Sequence, residues 1–175
     1  MSWNPQRSRP PTLPDGKNYL AAICRRGHIE ASILSGPVAP RCGRCGAEVL
    51  TACPSCISPL RGSRVGVVGP PGAPNGFCWS CGNPYPWATR EAIVYHIENL
   101  LAGDDALSEG DVRALREQMA SLNQVPSSGT TVEREQVAAL RSLRTLAPKI
   151  WDRAAPLVTA IATAEIKRQL GLPPV

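Results

Sequence analysis

Two patterns of apolar and polar positions divide the chain. From residue 88 onward, apolar side chains recur at helical spacing. Ile93, Ile97, Leu100 and Leu101 fall at i, i+4, i+7 and i+8, and Gly103 follows as a stop. Ser108 is placed to cap a second helix, with Val112, Leu115, Met119 and Leu122 along one face. Thr130 and Glu133 have capping-box spacing and open a third, which carries Val137, Leu140, Leu143 and Ala147. A fourth begins at Pro148. Pro156 within it removes a backbone donor and is expected to kink or restart it. Its later part, with Leu157, Val158, Ile161, Ala162, Ala164 and Ile166, is apolar over a broad face, and Gly171 ends it. The expectation for residues 88–175 is an all-α helical domain of about four helices.

Before residue 88 the apolar runs are short and broken by Pro, Gly and Cys. Residues 1–17, with Pro5, Pro10, Pro11 and Pro14, read as a flexible Pro-rich tail. Within residues 18–87, Tyr19 to Ile23 reads as a strand leading into Cys24, and Ala47 to Leu50 as one leaving Cys45. Residues 62–76 form a Gly/Pro-rich loop. No Lys-Ser/Thr follows its glycines and no strand–loop–helix frame surrounds them, so a phosphate loop is not expected there.

Composition explains why this half needs help to fold. The whole chain has one Phe, three Tyr and four Trp, while Pro and Gly number 33 and crowd the first half. So little bulky material calls for disulfides or metal. Residues 1–14 contain no apolar stretch of the signal-peptide kind. The most apolar run, residues 157–164, is far shorter than the roughly 20 residues that span a bilayer. A cytoplasmic location without a membrane span is therefore expected, and in a reducing compartment clustered cysteines favour metal.

The cysteines are arranged for that chemistry. Three C-x-x-C pairs occur, Cys42/Cys45, Cys53/Cys56 and Cys78/Cys81, and Cys24 with His28 forms a fourth pair. A two-residue gap lets both sulfurs of a tight turn point at one ion, and two such knuckles complete a tetrahedron. Four pairs make two closed sites with no ligand left over, which points to two structural Zn²⁺ ions. The simplest partition is sequential, with Cys24, His28, Cys42 and Cys45 at one ion and Cys53, Cys56, Cys78 and Cys81 at the other. The rival is a cross-brace that joins the first pair to the third. A thioredoxin-like redox pair lacks its βαβ frame, and the histidine disfavours an iron–sulfur cluster. Full shells leave no open position for a catalytic water. His96, the remaining histidine, reads as a helix-surface residue, so no catalytic constellation is found.

Charge is uneven. Residues 1–87 hold nine Arg and Lys against three acids, whereas residues 88–175 are close to neutral. Thiolates and zinc together lower the first half to a mildly basic balance, which permits nucleic acid but predicts only weak binding. Arg25, Arg26, Arg41, Arg44, Arg61 and Arg64 interleave with the ligands near Trp79, Tyr85 and Trp87. Such a mixture can grip phosphates and stack bases, or can be an exposed charged surface over a minimal aromatic core.

The strings I-C-R-R-G-H, C-G-R-C-G, C-P-S-C-I-S-P-L-R-G and F-C-W-S-C-G-N-P-Y-P-W, over Ile23 to Trp87, resemble a bacterial family of uncharacterised double zinc-ribbon proteins, domain of unknown function 2321. The resemblance implies the same eight ligands and a fold of tandem zinc ribbons, a small zinc-stabilised β region, followed by the helices. It implies no activity. The expected function is a non-enzymatic interaction or adaptor module, its ribbons used for recognition and its C-terminal helices for a protein partner or homo-oligomer. The alternative is a nucleic-acid-binding protein using the ribbon arginines and aromatics.

Overall fold

The computed structural model describes residues 10–127 and 129–173. Small N-terminal β sheets that carry two clusters of cysteine and histidine are followed by five helices. The chain divides into two compact units, one through Trp87 and one from Ala88. Of the tail expected at residues 1–17, residues 1–9 lie outside the described ones. The rest joins the fold. Leu13 is buried, its N–H donates to the Asn18 carbonyl, and Thr12 bridges Tyr19.

In the N-terminal unit, β1 (Asn18–Leu20) pairs with β5 (Arg61–Arg64), and β2 (Ala22–Cys24) lies between β3 (Ile29–Ala31) and β4 (Val49–Leu50); all pairings are antiparallel. The expected strand into Cys24 is thus two strands. It divides at Ala21, whose N–H goes to the Leu60 carbonyl as the chain passes from one sheet to the other. The expected loop at 62–76 gives up its first residues to β5. Gly62 is required there, because a Cβ would lie 2.2 Å from the Ser32 carbonyl oxygen. The core is small: Ala21, Ile23, Leu60 and Tyr85 with the thiols of Cys53 and Cys78, and Trp87 stacks on Tyr85 at 4.7 Å.

The helical unit consists of α1 (Arg90–Ala102), α2 (Glu109–Met119) running into a 3-10 turn (Ala120–Asn123), α3 (Thr131–Leu146), α4 (Pro148–Ile161) and α5 (Ala164–Leu170). The side chains of Thr89, Ser108, Thr130 and Thr163 each accept the N–H three residues on, which satisfies a helix-start donor. Glu133, buried in α3, accepts from the Gly129 N–H and the Thr163 hydroxyl, so it ties the starts of α3 and α5 together. The guanidinium of Arg90 donates to the carbonyls of Leu122 and Ile161 and satisfies the ends of the 3-10 turn and α4.

The fourth helix is not restarted at Pro156; the restart comes after Ala162, where Thr163 caps α5. Of the six residues of the broad apolar face offered for association, Leu157, Val158 and Ile166 are buried within the chain, Ile161 and Ala162 are half-buried, and Ala164 is exposed. Helices α1 and α3 pack against α4, and α3 also packs against α5, which covers the buried part of this face.

Three of the four metal-ligand pairs share one backbone design. The residue before the first cysteine bridges the residue after the knuckle: Arg41 with Glu48, Ala52 with Pro59, Phe77 with Pro84. The first cysteine accepts at its carbonyl from the N–H of Gly46, Ile57 or Gly82, each at positive φ, 69°, 62° and 74°. Glycine occupies this conformation freely, whereas a β-branched side chain strains it by about 1–2 kcal/mol. Ile57 is also 74 % exposed, so it recovers little by burial. Ile57→Gly is expected to stabilise the N-terminal unit by about 1 kcal/mol. Chemical denaturation at saturating metal checks this, and a fall in stability would show that Ile57 makes contacts that outweigh its backbone strain.

Candidate metal centres

The first centre is built on the three-stranded sheet. Cys24 ends β2, and a tight turn closed by Gly27 N–H to the Cys24 carbonyl brings His28 back beside it before β3 begins. β4 pairs with β2 and carries the 42–45 knuckle alongside this turn. The Arg25 N–H to the Glu48 carbonyl and an Arg25–Glu48 ion pair at 2.6 Å hold the two together. The second centre joins the 53–56 and 78–81 knuckles. The indole N–H of Trp79 donates to the Pro59 carbonyl at 2.9 Å and links their outer ends.

All eight candidate ligands come together as two groups: Cys24, His28, Cys42 and Cys45, and Cys53, Cys56, Cys78 and Cys81, with donor atoms within 4.8 Å of one another in each. This is the sequential partition; Cys24 and Cys53 do not share a group. The spacings test whether an ion fits. Four sulfurs about 2.3 Å from a central ion form a tetrahedron with edges of about 3.8 Å, and an imidazole nitrogen shortens its edge to about 3.5 Å. Sulfur separations are 3.8 Å for Cys24–Cys45, 3.9 Å for Cys53–Cys81 and 3.7 Å for Cys56–Cys78. Cys42 Sγ lies 3.5 Å from His28 Nδ1. These are tetrahedral edges, far longer than the roughly 2.05 Å of a disulfide. Both groups are consistent with a bound metal ion.

Neighbouring groups prepare the sulfurs. The N–H groups of His28, Arg44 and Ser80 point at Cys24, Cys42 and Cys78 at 3.3–3.4 Å. Their partial positive charge favours thiolate. As free thiols the ligands differ. The Ser58 hydroxyl beside Cys56 brings it down to about 6, the Glu30 carboxylate beside Cys42 pushes that thiol up to about 11, and burial pushes Cys81 up to about 12. A metal must displace these last two protons, so affinity rises with pH. Ser58 and Glu30 are surroundings that sequence reasoning missed, since no fixed spacing announces them. Each group offers four protein donors to one ion.

Other candidate residues fall outside the groups. His96 is half-buried on α1 in the helical unit, where burial and then Arg153 lower its proton affinity. Among the arginines, Arg25 is paired, Arg41 donates to the Gly46 carbonyl, and Arg61 lies 5.9 Å from the Trp79 ring. Tyr85 and Trp87 belong to the core, which leaves Trp79 as the one exposed aromatic of the three named in the sequence.

Among the described residues, no helix is long and apolar enough to cross a membrane. No curated protein and no solved structure matches the chain. The model of a bacterial family described as "Uncharacterized protein conserved in bacteria (DUF2321)" matches residues 17–169. That span contains both four-ligand groups and reaches into the last turn of α5. The chain belongs to the DUF2321 family.

Proposed function

We propose that this is a cytoplasmic zinc protein without enzymatic activity, whose N-terminal unit is a double zinc ribbon used for recognition. The observation that carries the reading is the pair of closed four-donor groups. Seven sulfurs and one imidazole suit zinc, where hard cations demand oxygen. Closed shells make the ions structural and leave the exterior of the ribbons for binding. Large exposed apolar residues support that assignment. Among the described residues, Ile33, Ile57, Val65, Val67, Val68 and Trp79 lie in the N-terminal unit, against Tyr95, Val125 and Leu146 in the helical one. Partner recognition is therefore assigned to the ribbons, and the buried Leu157, Val158 and Ile166 of the C-terminal face to the core.

Protein purified without added metal is expected to contain two zinc equivalents per chain and little iron. Cys42→Ser is expected to empty the first site and spare much of the second, and Cys53→Ser the reverse, as read by metal analysis. A strong chelator should unfold the N-terminal unit while the helical circular dichroism persists. A single equivalent, or iron–sulfur absorbance, overturns the two-zinc reading.

The second reading is nucleic-acid binding, favoured by the placement of Arg61 beside exposed Trp79. The engagement of Arg25 and Arg41 within the unit weighs against it. Binding to single-stranded oligonucleotides is expected to be weak and sequence-independent, and to fade steeply with salt as counterions are released. Tight binding at physiological salt, lost when Arg25, Arg26 and Arg44 become Ala, would replace the interaction-module reading with this one.

A further inference from the structure

Tyr85 is buried beside the second centre with its hydroxyl unsatisfied. The residue is 5 % exposed, and its ring stacks on Trp87. Its backbone N–H donates to the Gly76 carbonyl and Phe77 bridges Pro84, so the tyrosine is fixed at the base of the 78–81 knuckle. The Oη atom has no hydrogen-bond partner and lies out of reach of solvent. Water therefore cannot supply the missing acceptor, and a buried hydroxyl left unpaired is costly. The acceptor has to be a group already packed against it. That group is Cys78, which shares the small core with Tyr85 and lies beside its hydroxyl. A neutral thiol is a weak acceptor, whereas a thiolate is a charged and strong one. The orphaned hydroxyl thus faces a sulfur that satisfies it only after losing its proton, which is the form that holds a metal.

The other knuckle of the same centre repeats the arrangement. Ser58 Oγ lies 3.3 Å from Cys56 Sγ, and when that sulfur is a thiolate the hydroxyl is the group that donates. Each knuckle of the second centre so carries one side-chain hydroxyl against one sulfur. In the first centre the donors to sulfur are the backbone N–H groups of His28 and Arg44, and among the described residues no hydroxyl reaches a sulfur there. The difference follows the charge. Four thiolates carry one more negative charge than three thiolates and an imidazole, so the second group needs more compensation when it holds a divalent ion. Hydrogen bonds to the charged form of a ligand supply it.

We infer that Tyr85 and Ser58 are positioning residues of the second metal centre, their hydroxyls donating to the Cys78 and Cys56 thiolates and strengthening the hold of those sulfurs on the ion. The inference rests on the two-zinc reading above.

The test loads the full chain with cadmium in place of zinc and follows the metal by nuclear magnetic resonance. Each centre then has its own signal, one for four sulfurs and one for three sulfurs and a nitrogen. Tyr85→Phe removes the hydroxyl and keeps the buried, stacked ring. It is expected to move the four-sulfur signal and leave the other in place. In a chelator titration the four-sulfur signal should vanish at about tenfold lower chelator than in the wild type, the usual cost of losing an outer partner of a metal ligand. Ser58→Ala should act in the same way through Cys56, and Ser58→Thr, which keeps a hydroxyl, should restore wild-type behaviour. The Ser58 variants decide the matter even if circular dichroism shows that Tyr85→Phe does not fold. An unaltered four-sulfur signal and chelator midpoint in Ser58→Ala, or in folded Tyr85→Phe, overturns the inference, as does equal loss at both centres. A wild-type chain without a four-sulfur signal overturns the two-zinc reading itself, whereas two wild-type signals with unaltered variants overturn the inference alone.

Discussion

The N-terminal unit folds under a constraint set at its sulfur atoms. Its strands are two to four residues long, and among the described residues its buried apolar side chains number ten, four of them thiols. Neither ladder hydrogen bonds nor apolar burial on that scale holds a chain of this length against its conformational entropy. Closing a tetrahedron does what the core cannot. The contacts Cys24–Cys45, Cys56–Cys78 and Cys53–Cys81 join positions 21, 22 and 28 residues apart, so an ion bound at each group would pin loops that are otherwise costly to close. β2 ends on a candidate ligand, and β4 emerges from a knuckle, so the atoms that would hold the ion also sit where the strand register is set.

The helical unit meets the same entropy by different means. Its apolar stripes bury Ile93, Ile97, Leu115, Met119, Leu140, Leu143, Leu157 and Ile166. Its buried Gln136 donates to the carbonyls of Ser121 and Gln124 beyond α2, and the exposed Arg144 donates to that of Leu170 at the end of α5. Such directed bonds select one arrangement of the helices where apolar packing alone tolerates several.

How much of this was legible depended on whether a feature is local. The knuckles have fixed spacing and a fixed turn, so all eight candidate ligands and their sequential grouping could be read from the chain. Helix starts were legible for the same reason: Ser108 and Thr130 cap the helix that follows them. What escaped depends on distant partners. Pro156 lies in α4 without ending it, because the restart is set by Thr163, whose hydroxyl reaches Glu133 on another helix. Residues 62–64 looked like loop, yet β1 gives them a partner that their Gly-Ser composition did not suggest. Ile57 was hidden by its own identity, since the left-handed turn it occupies is usually announced by glycine. The face of α4 and α5 offered for association was read as apolar, but only the packing of α1 and α3 shows that Leu157, Val158 and Ile166 within it are buried.

Arg90 has a consequence for the order in which the molecule is made. It lies at the start of α1, yet its guanidinium is satisfied by carbonyls 32 and 71 residues downstream. A nascent chain that has emerged only as far as α3 holds this partly buried cation with half its partners still in the ribosome. Until residue 161 is available, docking α1 in its final place desolvates a charge with only the Leu122 carbonyl in return. The two units therefore differ in what each must wait for. The cysteine-rich unit has every candidate ligand once Cys81 has emerged, whereas the helical unit gathers its last interactions only when α4 and α5 have emerged, and so folds as a whole only then.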